Sequence, residues 1–415
     1  MYVNATIQKI EMKAAIKKQM WTGARAIAEA VRMADVDVIA AYPIRPYTGI
    51  MNALASMIAK GEFQAEYIVC DSEHSQFEAV KHASAVGART FVGSSGTGLI
   101  YGTEAAIVTA LGQLPVVGVV GCRALDDPGN FGMEWNDALL FRDVGWIMAW
   151  ARDPQEALDM ILAAYRTAED PKVLLPHFIA LDGAAITHVA SPVLPPDKQH
   201  VEEFLPPYKP LHPLDPKSDS ISKAMHVAPS LIGPEQRKVL DVAMKRAKNE
   251  VIPQAWKLWG DLTGRRYPAF MDAKDLADAE CVLLTMGAYS KNLEYVVEKY
   301  RGKNIKLGSI RLRYFRPFPA EELKEAVKDT KAIGIVDFSY SLGSPSYGSI
   351  LYNEVKAALY DMDTRPLIMD FIFAGGREMT IPDLDQATNL LIGAAKTGKN
   401  AERPVRWMTV RGEDI

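Results

Sequence analysis

The chain has 415 residues, of which 48% are apolar and 24% are charged, and its formal net charge at pH 7 is −4. This length predicts two or three domains with sizeable cores, and the slightly acidic balance gives no basis for nucleic acid as a partner. No apolar run is long enough to span a bilayer, and the N-terminal segment lacks the apolar stretch of a signal peptide. We therefore expect no membrane contact and a cytoplasmic location.

Strands and helices alternate regularly over the first half of the chain. Compact apolar runs such as residues 36–41 are typical of strands buried on both faces of a parallel sheet. The predicted strands are 36–41, 65–70, 90–93, 115–121, 146–150 and 172–181, and the predicted helices are 23–33, 50–58, 73–86, 96–111 and 154–168. This alternation predicts a doubly wound parallel sheet, which we assign to a first domain of residues 1–190.

The composition changes between residues 191 and 234, which are rich in proline and lack periodic apolar positions. We expect an extended segment here, laid over another surface, and then a long helix at 235–262; together they form a crossover region of residues 191–275. A second α/β domain of residues 276–396 follows. Its predicted strands are 281–286, 305–310, 332–337 and 367–372, and its predicted helices are 291–300, 320–327, 348–360 and 381–395. The tail, 397–415, is expected to be poorly ordered.

Cysteine and histidine follow no metal or disulfide pattern. The cysteines Cys70, Cys122 and Cys281 form no C-x-x-C pair, and the seven histidines show no H-E-x-x-H spacing. We expect no disulfide framework, no metal site and no iron–sulfur cluster held by this chain alone. If electrons leave its site, a different chain carries them.

An arginine lies in the turn after the first buried strand. The sequence Pro43-Ile44-Arg45-Pro46 breaks the chain before the next helix, so Arg45 is placed at the carboxyl edge of the sheet, where ligands collect in open α/β folds. A guanidinium group there suits a carboxylate or a phosphate. The alternative is a surface arginine that caps a loop.

Glu73 falls at a similar position after the second strand, in the first turn of a predicted helix behind Ser72. It is either a helix-start acid that interacts with the macrodipole or a buried carboxylate that hydrogen-bonds a ring nitrogen of a cofactor. The glycine-rich stretch Gly93-Ser94-Ser95-Gly96-Thr97-Gly98 follows the third strand and resembles a phosphate cradle. It is not G-x-G-x-x-G, so close approach of the backbone to a ligand, or tight packing of strand and helix, is the better interpretation.

A long loop follows the fourth strand, between Cys122 and Asp137. Loops with glycine hinges, charges and aromatic rings often cover sites. The candidate substrate-loop residues are Arg123, Asp126, Asp127, Asn130, Phe131 and Trp135. Two arginines and a glutamate, each just beyond a different strand of one sheet, form a combination that chance rarely supplies.

Together these motifs resemble the α subunits of thiamine-diphosphate-dependent 2-oxoacid:ferredoxin oxidoreductases. The resemblance covers nearly the whole chain and rests on Tyr42-Pro43-Ile44-x-Pro46, Ser72-Glu73-His74, Gly93-Ser94-Ser95-Gly96, Arg123 in its loop, and Arg313-Tyr314-Phe315-Arg316-Pro317-Phe318-Pro319. It implies an α/β fold with a pyrimidine-type thiamine-binding domain and a transketolase C-terminal-like domain. It also implies that Glu73 activates the cofactor, that Arg123, with Arg45 as a second candidate, binds the substrate carboxylate, and that the cofactor contacts Pro43, Ile44, Ser95 and Gly96.

The family's pyruvate enzymes carry a threonine at the position of Arg45. An arginine here resembles the branch of the family that contains phenylglyoxylate dehydrogenase and oxalate oxidoreductase. In the oxalate enzyme, the positions of Asn130 and Trp135 carry an aspartate and a histidine. The less acidic, more aromatic loop of this chain suits an aryl 2-oxoacid, because a planar ring can stack on Trp135 or Phe131. We therefore expect phenylglyoxylate as the substrate and benzoyl-CoA as the product, with oxalate or another 2-oxoacid as alternatives.

The resemblance also implies partners. The Gly-Asp-Gly motif that holds thiamine diphosphate and Mg²⁺ is absent from the sequence, so a β subunit is expected to hold both, which argues against a self-contained thiamine enzyme. We expect the [4Fe–4S] clusters to lie on γ/δ-type iron–sulfur subunits. Coenzyme A is the expected co-substrate, and the expected electron acceptor is ferredoxin or an NAD-reducing flavoprotein with FAD. A non-enzymatic alternative is a scaffold subunit with two Rossmann-like units, which would not depend on Glu73.

Overall fold

The first unit alternates strands with helices, as the sequence predicts. A computed structural model describes residues 17–125, 130–217, 221, 229–399 and 403–411. The elements up to residue 204 are β1 (Gln19–Thr22), α1 (Gly23–Met33), β2 (Val38–Ala41), α2 (Thr48–Ala59), β3 (Glu66–Val69), α3 (Glu73–Ala85), β4 (Thr90–Ser94), α4 (Gly96–Tyr101), α5 (Thr103–Leu111), β5 (Val117–Gly121), α6 (Asn136–Leu139), β6 (Ile147–Trp150), α7 (Pro154–Ala168), β7 (His177–Leu181), α8 (Gly183–Thr187), β8 (Ala190–Val193) and α9 (Lys198–Phe204).

The second unit repeats the pattern after a helical connection. A π-helical turn, Ala247–Val251, separates two helices of that connection. The elements are α10 (Pro229–Arg246), α11 (Ile252–Thr263), β9 (Met271–Lys274), β10 (Cys281–Thr285), α12 (Ser290–Arg301), β11 (Leu307–Leu312), β12 (Tyr314–Arg316), α13 (Ala320–Val327), β13 (Ala332–Asp337), α14 (Ile350–Leu359), β14 (Leu367–Ile372), α15 (Ile381–Thr397) and β15 (Val405–Trp407).

The seven-stranded sheet of the first unit has the order β12-β6-β7-β5-β4-β2-β3. Its strands are parallel except β12, which pairs antiparallel with β6. Side chains alternate between two cores: Ile39 and Ala41 of β2 pack with α1, α2 and α7, whereas Ala40 packs on the opposite side with α3 and α5. The prediction of a doubly wound parallel sheet is confirmed, and its carboxyl edge carries the turns that form the candidate site.

The second sheet has six strands in the order β15-β14-β13-β10-β11-β9, parallel except for the antiparallel edge strand β9. The two-unit α/β architecture is thus as predicted. In the part of the chain that the structure describes, no helix is both long and apolar enough to cross a bilayer.

Four local predictions differ from the structure. The helix expected up to residue 111 is two helices, divided at Gly102, where an added Cβ would lie 2.5 Å from the Phe77 ring. The segment 191–234, expected to lack regular structure, contains α9, which Asp197 caps by accepting a hydrogen bond from the N–H of Gln199. The helix expected at 235–262 begins earlier, with α10. The tail, expected to be poorly ordered, adds β15 to the second sheet.

A buried ion cluster and aromatic contacts join the two units. Glu156, in the first turn of α7, accepts hydrogen bonds from Arg311 at 2.7 Å and from Arg313 at 2.7 Å. Burial alone would raise the pKa of Glu156, but the two guanidinium groups hold it at about 2. Trp150 of the first unit packs on Phe315, with ring centroids 5.8 Å apart. The units therefore have a fixed relative position, which matters because loops of the second unit contact the candidate site.

Candidate active site

The turn at residues 96–98 brings two of the predicted functional side chains together. An added Cβ at Gly98 would lie 2.1 Å from Oε1 of Glu73 and 2.7 Å from Cδ1 of Ile44. An added Cβ at Gly96 would lie 2.5 Å from Nε of Arg123, and Gly96 has a φ of +51° that favours glycine. Because both glycines lack a Cβ, a carboxylate and a guanidinium group approach one turn, here called the 96–98 turn.

Glu73 is the first residue of α3, where Ser72 caps the helix by accepting a hydrogen bond from the N–H of Ser75 at 3.2 Å. A glutamate that served only the macrodipole could remain in solvent, but Glu73 is only 7% exposed. Its carboxylate lies between Ile44 and Gly98. This arrangement suits an acid that meets the polar edge of a ligand inside the protein.

Arg123 begins the loop after β5 and is 4% exposed. Its guanidinium carbon lies 5.2 Å from the centroid of the Phe131 ring, which is within cation–π range. The Phe131 ring is itself 55% exposed. The site therefore pairs a buried cation with an accessible aromatic surface.

The turn after β2 lies beside these groups but places its residues differently. Ile44 contacts the site, whereas Pro43 and the Arg45 side chain are exposed. The Pro46 ring packs over Gly121, where an added Cβ would lie 2.7 Å from it and 3.0 Å from Oγ of Ser95. Arg45 is thus at the expected edge of the sheet, with its charge directed to solvent in this chain.

Buried hydroxyl groups near the 96–98 turn are unsatisfied. The Oγ atom of Ser95 and the hydroxyl of Tyr47 are buried and have no hydrogen-bond partner among the described residues. Tyr47 packs directly on Gly93, where an added Cβ would lie 2.1 Å from its ring. A buried hydroxyl group without a partner costs about 1–3 kcal/mol, so these atoms suit a site that a polar ligand completes.

A buried carboxyl group, Asp137, lies under the same turn. Its Oδ2 atom accepts hydrogen bonds from the backbone N–H of Gly96 at 2.8 Å and of Arg123 at 3.1 Å, and Oδ1 accepts one from Ala138 at 2.7 Å. Burial raises the pKa of Asp137 to about 7, although these N–H groups oppose the shift.

The loop residues are distributed differently from the prediction. Asp126 and Asp127 lie outside the described residues. Asn130 donates to the carbonyl of Gly375 at 3.1 Å and accepts from the N–H of Gly132 at 2.9 Å, so it links the loop to the second unit. Phe131 is accessible beside Arg123.

The structure contradicts the prediction that a substrate ring can stack on Trp135. Trp135 is 0% exposed, donates from Nε1 to Asp182 at 2.8 Å, and packs on Phe338 with ring centroids 5.2 Å apart. Burial raises the pKa of Asp182 to about 6. Trp135 thus belongs to the core between the two units, because its indole N–H finds a buried acceptor there, and it presents no ring face to a substrate.

Sequence reasoning gave no role to Gly98 or Asp137. Gly98 belongs to the glycine-rich stretch already noted, and the glycine spacing was the available signal for close approach. The role of Asp137 could not be predicted from the sequence, because its hydrogen-bond donors, Arg123 and Gly96, lie 14 and 41 positions away along the chain.

A metal-capable cluster lies elsewhere on the surface. Ligand atoms of His74, Glu78 and Glu104 lie within 4.8 Å of one another, and His74 is hydrogen-bonded to Glu104 at 2.9 Å. Glu78 is already paired with Lys81. Exposed acids of this kind are common without an ion, so we assign no function to the cluster.

Adding a methyl group at Gly98 tests whether Glu73 needs its observed position. We expect Gly98→Ala to lower turnover, because the new Cβ would displace the Glu73 carboxylate. Forcing a side chain off its rotamer costs about 0.5–1.5 kcal/mol, which corresponds to roughly a two- to tenfold loss of rate. The matched control is Gly393→Ala, also in a helix, where an added Cβ meets nothing within 4 Å. Equal steady-state rates for the two variants would contradict the assignment.

Two family models match this chain. Residues 29–252 match the family described as pyruvate flavodoxin/ferredoxin oxidoreductase, thiamine diphosphate-binding, and residues 279–384 match pyruvate:ferredoxin oxidoreductase core domain II. Similar curated proteins include the pyruvate synthase subunit PorA of Pyrococcus abyssi, which is 37% identical over 94% of this chain and 97% of its own length. The ketoisovalerate oxidoreductase subunit VorA of Pyrococcus horikoshii is 34% identical over the same shares.

Among solved structures, the fold resembles 2-oxoglutarate:ferredoxin oxidoreductase from Magnetococcus marinus, which was determined with 2-oxoglutarate, coenzyme A and succinyl-CoA bound. The TM-score is 0.70 at 15% identity, and the alignment covers 90% of this chain. This chain spans 65% of the length of that one, slightly less than two thirds. At this identity the similarity concerns the fold alone.

Proposed function

The chain belongs to the pyruvate flavodoxin/ferredoxin oxidoreductase family, and on that premise we propose that it is the α-type subunit of a complex that oxidatively decarboxylates a 2-oxoacid to its coenzyme A thioester. One observation carries the proposal: a buried carboxylate, Glu73, and a buried guanidinium group, Arg123, approach the same 96–98 turn. An acid for the cofactor and a cation for the substrate carboxylate are what this chemistry needs from the protein.

Thiamine diphosphate fits the residues present. A pyrimidine ring would lie against Ile44 and the 96–98 turn, with Ser95 offering its unsatisfied hydroxyl group and Glu73 its carboxylate. When bound, the cofactor supplies the nucleophilic carbon and the electron sink for loss of CO2. A cofactor edge can approach here because the glycines leave the space that side chains would fill.

Glu73 holds a proton at the pyrimidine ring nitrogen. Its carboxylate is buried beside Ile44 and Gly98, so the hydrogen bond forms in a weakly polar environment, where it is stronger than in water. A neutral amide group at this position could not perform this proton transfer. General acid–base roles of this kind contribute about 10²–10⁴-fold.

Arg123 fixes the carboxylate of the 2-oxoacid. Its backbone is held by Asp137 and its guanidinium group is kept largely from water, which strengthens its interaction with an anion. Asn130 donates a hydrogen bond to the carbonyl of Gly375, and the backbone N–H of Trp135 donates one to the carbonyl of Phe338, so the second unit holds residues 130–135 of the loop in place. This support would keep Phe131 beside the Arg123 guanidinium group while the substrate carboxylate binds.

For the acid itself we propose phenylglyoxylate, converted to benzoyl-CoA and CO2. The support is the accessible Phe131 ring beside Arg123, on which an aryl group can pack while the carboxylate meets the guanidinium group. Oxalate is a second candidate, because Arg45 lies at the same edge of the sheet as Arg123, but the Arg45 side chain is exposed in this structure. Pyruvate and ketoisovalerate are further candidate substrates, because the names of the relatives contain them.

The discriminating experiment is steady-state turnover of the purified complex with coenzyme A and a viologen dye as acceptor. The panel is phenylglyoxylate, oxalate, pyruvate and 2-oxoisovalerate. We expect the highest kcat/KM with phenylglyoxylate and a loss of about two- to tenfold in Phe131→Leu for that acid alone, since aromatic pairs contribute roughly 0.5–1.5 kcal/mol beyond burial. Faster turnover of another acid would reject the aryl assignment, and no turnover of any 2-oxoacid would reject the proposed function.

The partners follow from the same proposal. A β subunit would hold the diphosphate and Mg²⁺, since Gly-Asp-Gly is absent from this sequence. Further subunits would carry the [4Fe–4S] clusters and pass electrons to ferredoxin or to an NAD-reducing flavoprotein. The scaffold alternative would keep the fold without needing the Glu73 carboxylate.

The isolated chain should bind thiamine diphosphate weakly. The pyrimidine side of the site is present in it, but the diphosphate, which carries most of the charge, has no metal–diphosphate motif to hold it. Isothermal titration of the chain with thiamine diphosphate and Mg²⁺, beside the same titration of the complex, measures the difference. Tight, magnesium-dependent binding to the chain alone would contradict the shared site.

A further inference from the structure

The Asp137 carboxyl group takes no direct part in the proposed chemistry, yet it is fully buried and accepts hydrogen bonds from both halves of the site. A single oxygen atom, Oδ2, accepts the N–H of Gly96 at 2.8 Å and the N–H of Arg123 at 3.1 Å. Those two backbone groups belong to different strand ends, β4 and β5. One shared acceptor therefore keeps the two nitrogen atoms no further apart than the two bond lengths together.

The two amides belong to the two parts of the site, the 96–98 turn and the substrate-binding arginine. Gly96 begins the 96–98 turn, over which the Arg123 side chain lies, and Arg123 is the proposed ligand of the substrate carboxylate. A shift of either amide would change the distance between the cofactor side and the substrate side. The carboxylate at Asp137 is thus placed to set that distance.

The charge of Asp137 matters for this arrangement. Its two oxygen atoms accept three backbone N–H groups. Burial raises its pKa to about 7, against the effect of these donors. The short helix α6 gives little reason for such a costly group, because a helix of four residues has a small macrodipole.

We propose that Asp137 is a positioning residue, which sets the separation of the 96–98 turn and the Arg123 guanidinium group through two backbone hydrogen bonds. This inference rests on the proposed function, because only then is Arg123 a ligand of the substrate. Asp137 itself touches neither cofactor nor substrate. Its loss should therefore affect the binding of the 2-oxoacid more than that of coenzyme A.

The test compares Asp137→Asn and Asp137→Ala in the purified complex. Asparagine has one acceptor oxygen atom, whereas the carboxylate has two. The NH2 group of the asparagine must therefore face N–H groups that one of the carboxylate oxygen atoms accepts in the wild type. We expect the KM for the 2-oxoacid to rise about tenfold in Asp137→Asn and further in Asp137→Ala, the size expected for a lost hydrogen bond to a charged acceptor. The KM for coenzyme A should stay within about twofold of wild type.

The matched control is Asp370→Asn. Asp370 is also fully buried and accepts a backbone N–H, from Ser349 at 2.6 Å, but it serves helix α14 in the second unit. We expect it to lower the melting temperature without a selective change in the KM for the 2-oxoacid. An unchanged KM in Asp137→Asn, or an equal rise in Asp370→Asn, would overturn the proposal.

A second readout does not depend on catalysis. In the full-length chain, hydrogen exchange followed by mass spectrometry should show faster exchange in peptides containing Gly96 and Arg123 for Asp137→Asn, but not for Asp370→Asn. Unchanged exchange of those peptides would overturn the positioning role. If exchange changes as expected while the wild-type complex turns over no 2-oxoacid, the proposed function fails and the structural link remains.

Discussion

We expect Glu73→Gln to lower the turnover of the 2-oxoacid by about 10²–10⁴-fold, the range typical of a lost proton-transfer group. The amide keeps the shape of the side chain and its place beside Ile44 and Gly98. It cannot hold and release a proton at the pyrimidine ring nitrogen as a carboxylate does. Steady-state rates of the assembled complex, with bound cofactor quantified in each preparation, measure this effect.

Glu104→Gln is the control for Glu73→Gln. Glu104 is also an acid in the first turn of a helix, α5, but it is largely exposed and interacts with His74. If Glu73 were only a helix-start acid, both variants would lose a few tenths of a kcal/mol of stability and keep their activity. Near-wild-type turnover in Glu73→Gln with bound cofactor would contradict a catalytic role and favour the scaffold alternative.

We expect Arg123→Met to lower kcat/KM for the 2-oxoacid by roughly 30- to 4000-fold, since losing one partner of a buried charge pair costs about 2–5 kcal/mol. Methionine keeps much of the apolar stem that covers the 96–98 turn and the Phe131 ring. The missing part is the guanidinium group that meets the substrate carboxylate. Initial rates over a range of 2-oxoacid concentrations give the ratio directly.

Arg166→Met provides the matched comparison for Arg123. Arg166 also lies over an aromatic ring, that of Phe204, with its guanidinium carbon 5.9 Å from the centroid, but on helix α7 away from the 96–98 turn. We expect this variant to lose some stability and to retain its kcat/KM. Equal kinetics for the two arginine variants would exclude Arg123 as the substrate ligand.

Much of the fold could be predicted because the strands are short apolar runs that recur between amphipathic helices. β13 and β14 were predicted with the bounds that the structure has, as was helix α7. β12 could not be predicted, because Tyr314–Arg316 lies within the second unit in sequence, between β11 and α13, but pairs with β6 of the first. Its place is decided by long-range contacts of Arg313 and Phe315, which no local pattern encodes.

The candidate site was predictable where function depends on position at the end of a strand. Glu73 and Arg123 each follow a strand of one parallel sheet, so their convergence on the same edge follows from the topology. Trp135 was placed wrongly because sequence alone does not distinguish an aromatic ring that faces a ligand from one that packs between domains. Its hydrogen bond to Asp182, 47 residues away, decides the matter.

The position of the bound cofactor tests the central claim most directly. A structure of the complex with thiamine diphosphate and its 2-oxoacid should place a pyrimidine ring nitrogen about 2.6–3.2 Å from a Glu73 oxygen atom, with the substrate carboxylate on Arg123. A pyrimidine ring that lay beyond hydrogen-bond reach of Glu73, or a site formed away from the 96–98 turn, would contradict it.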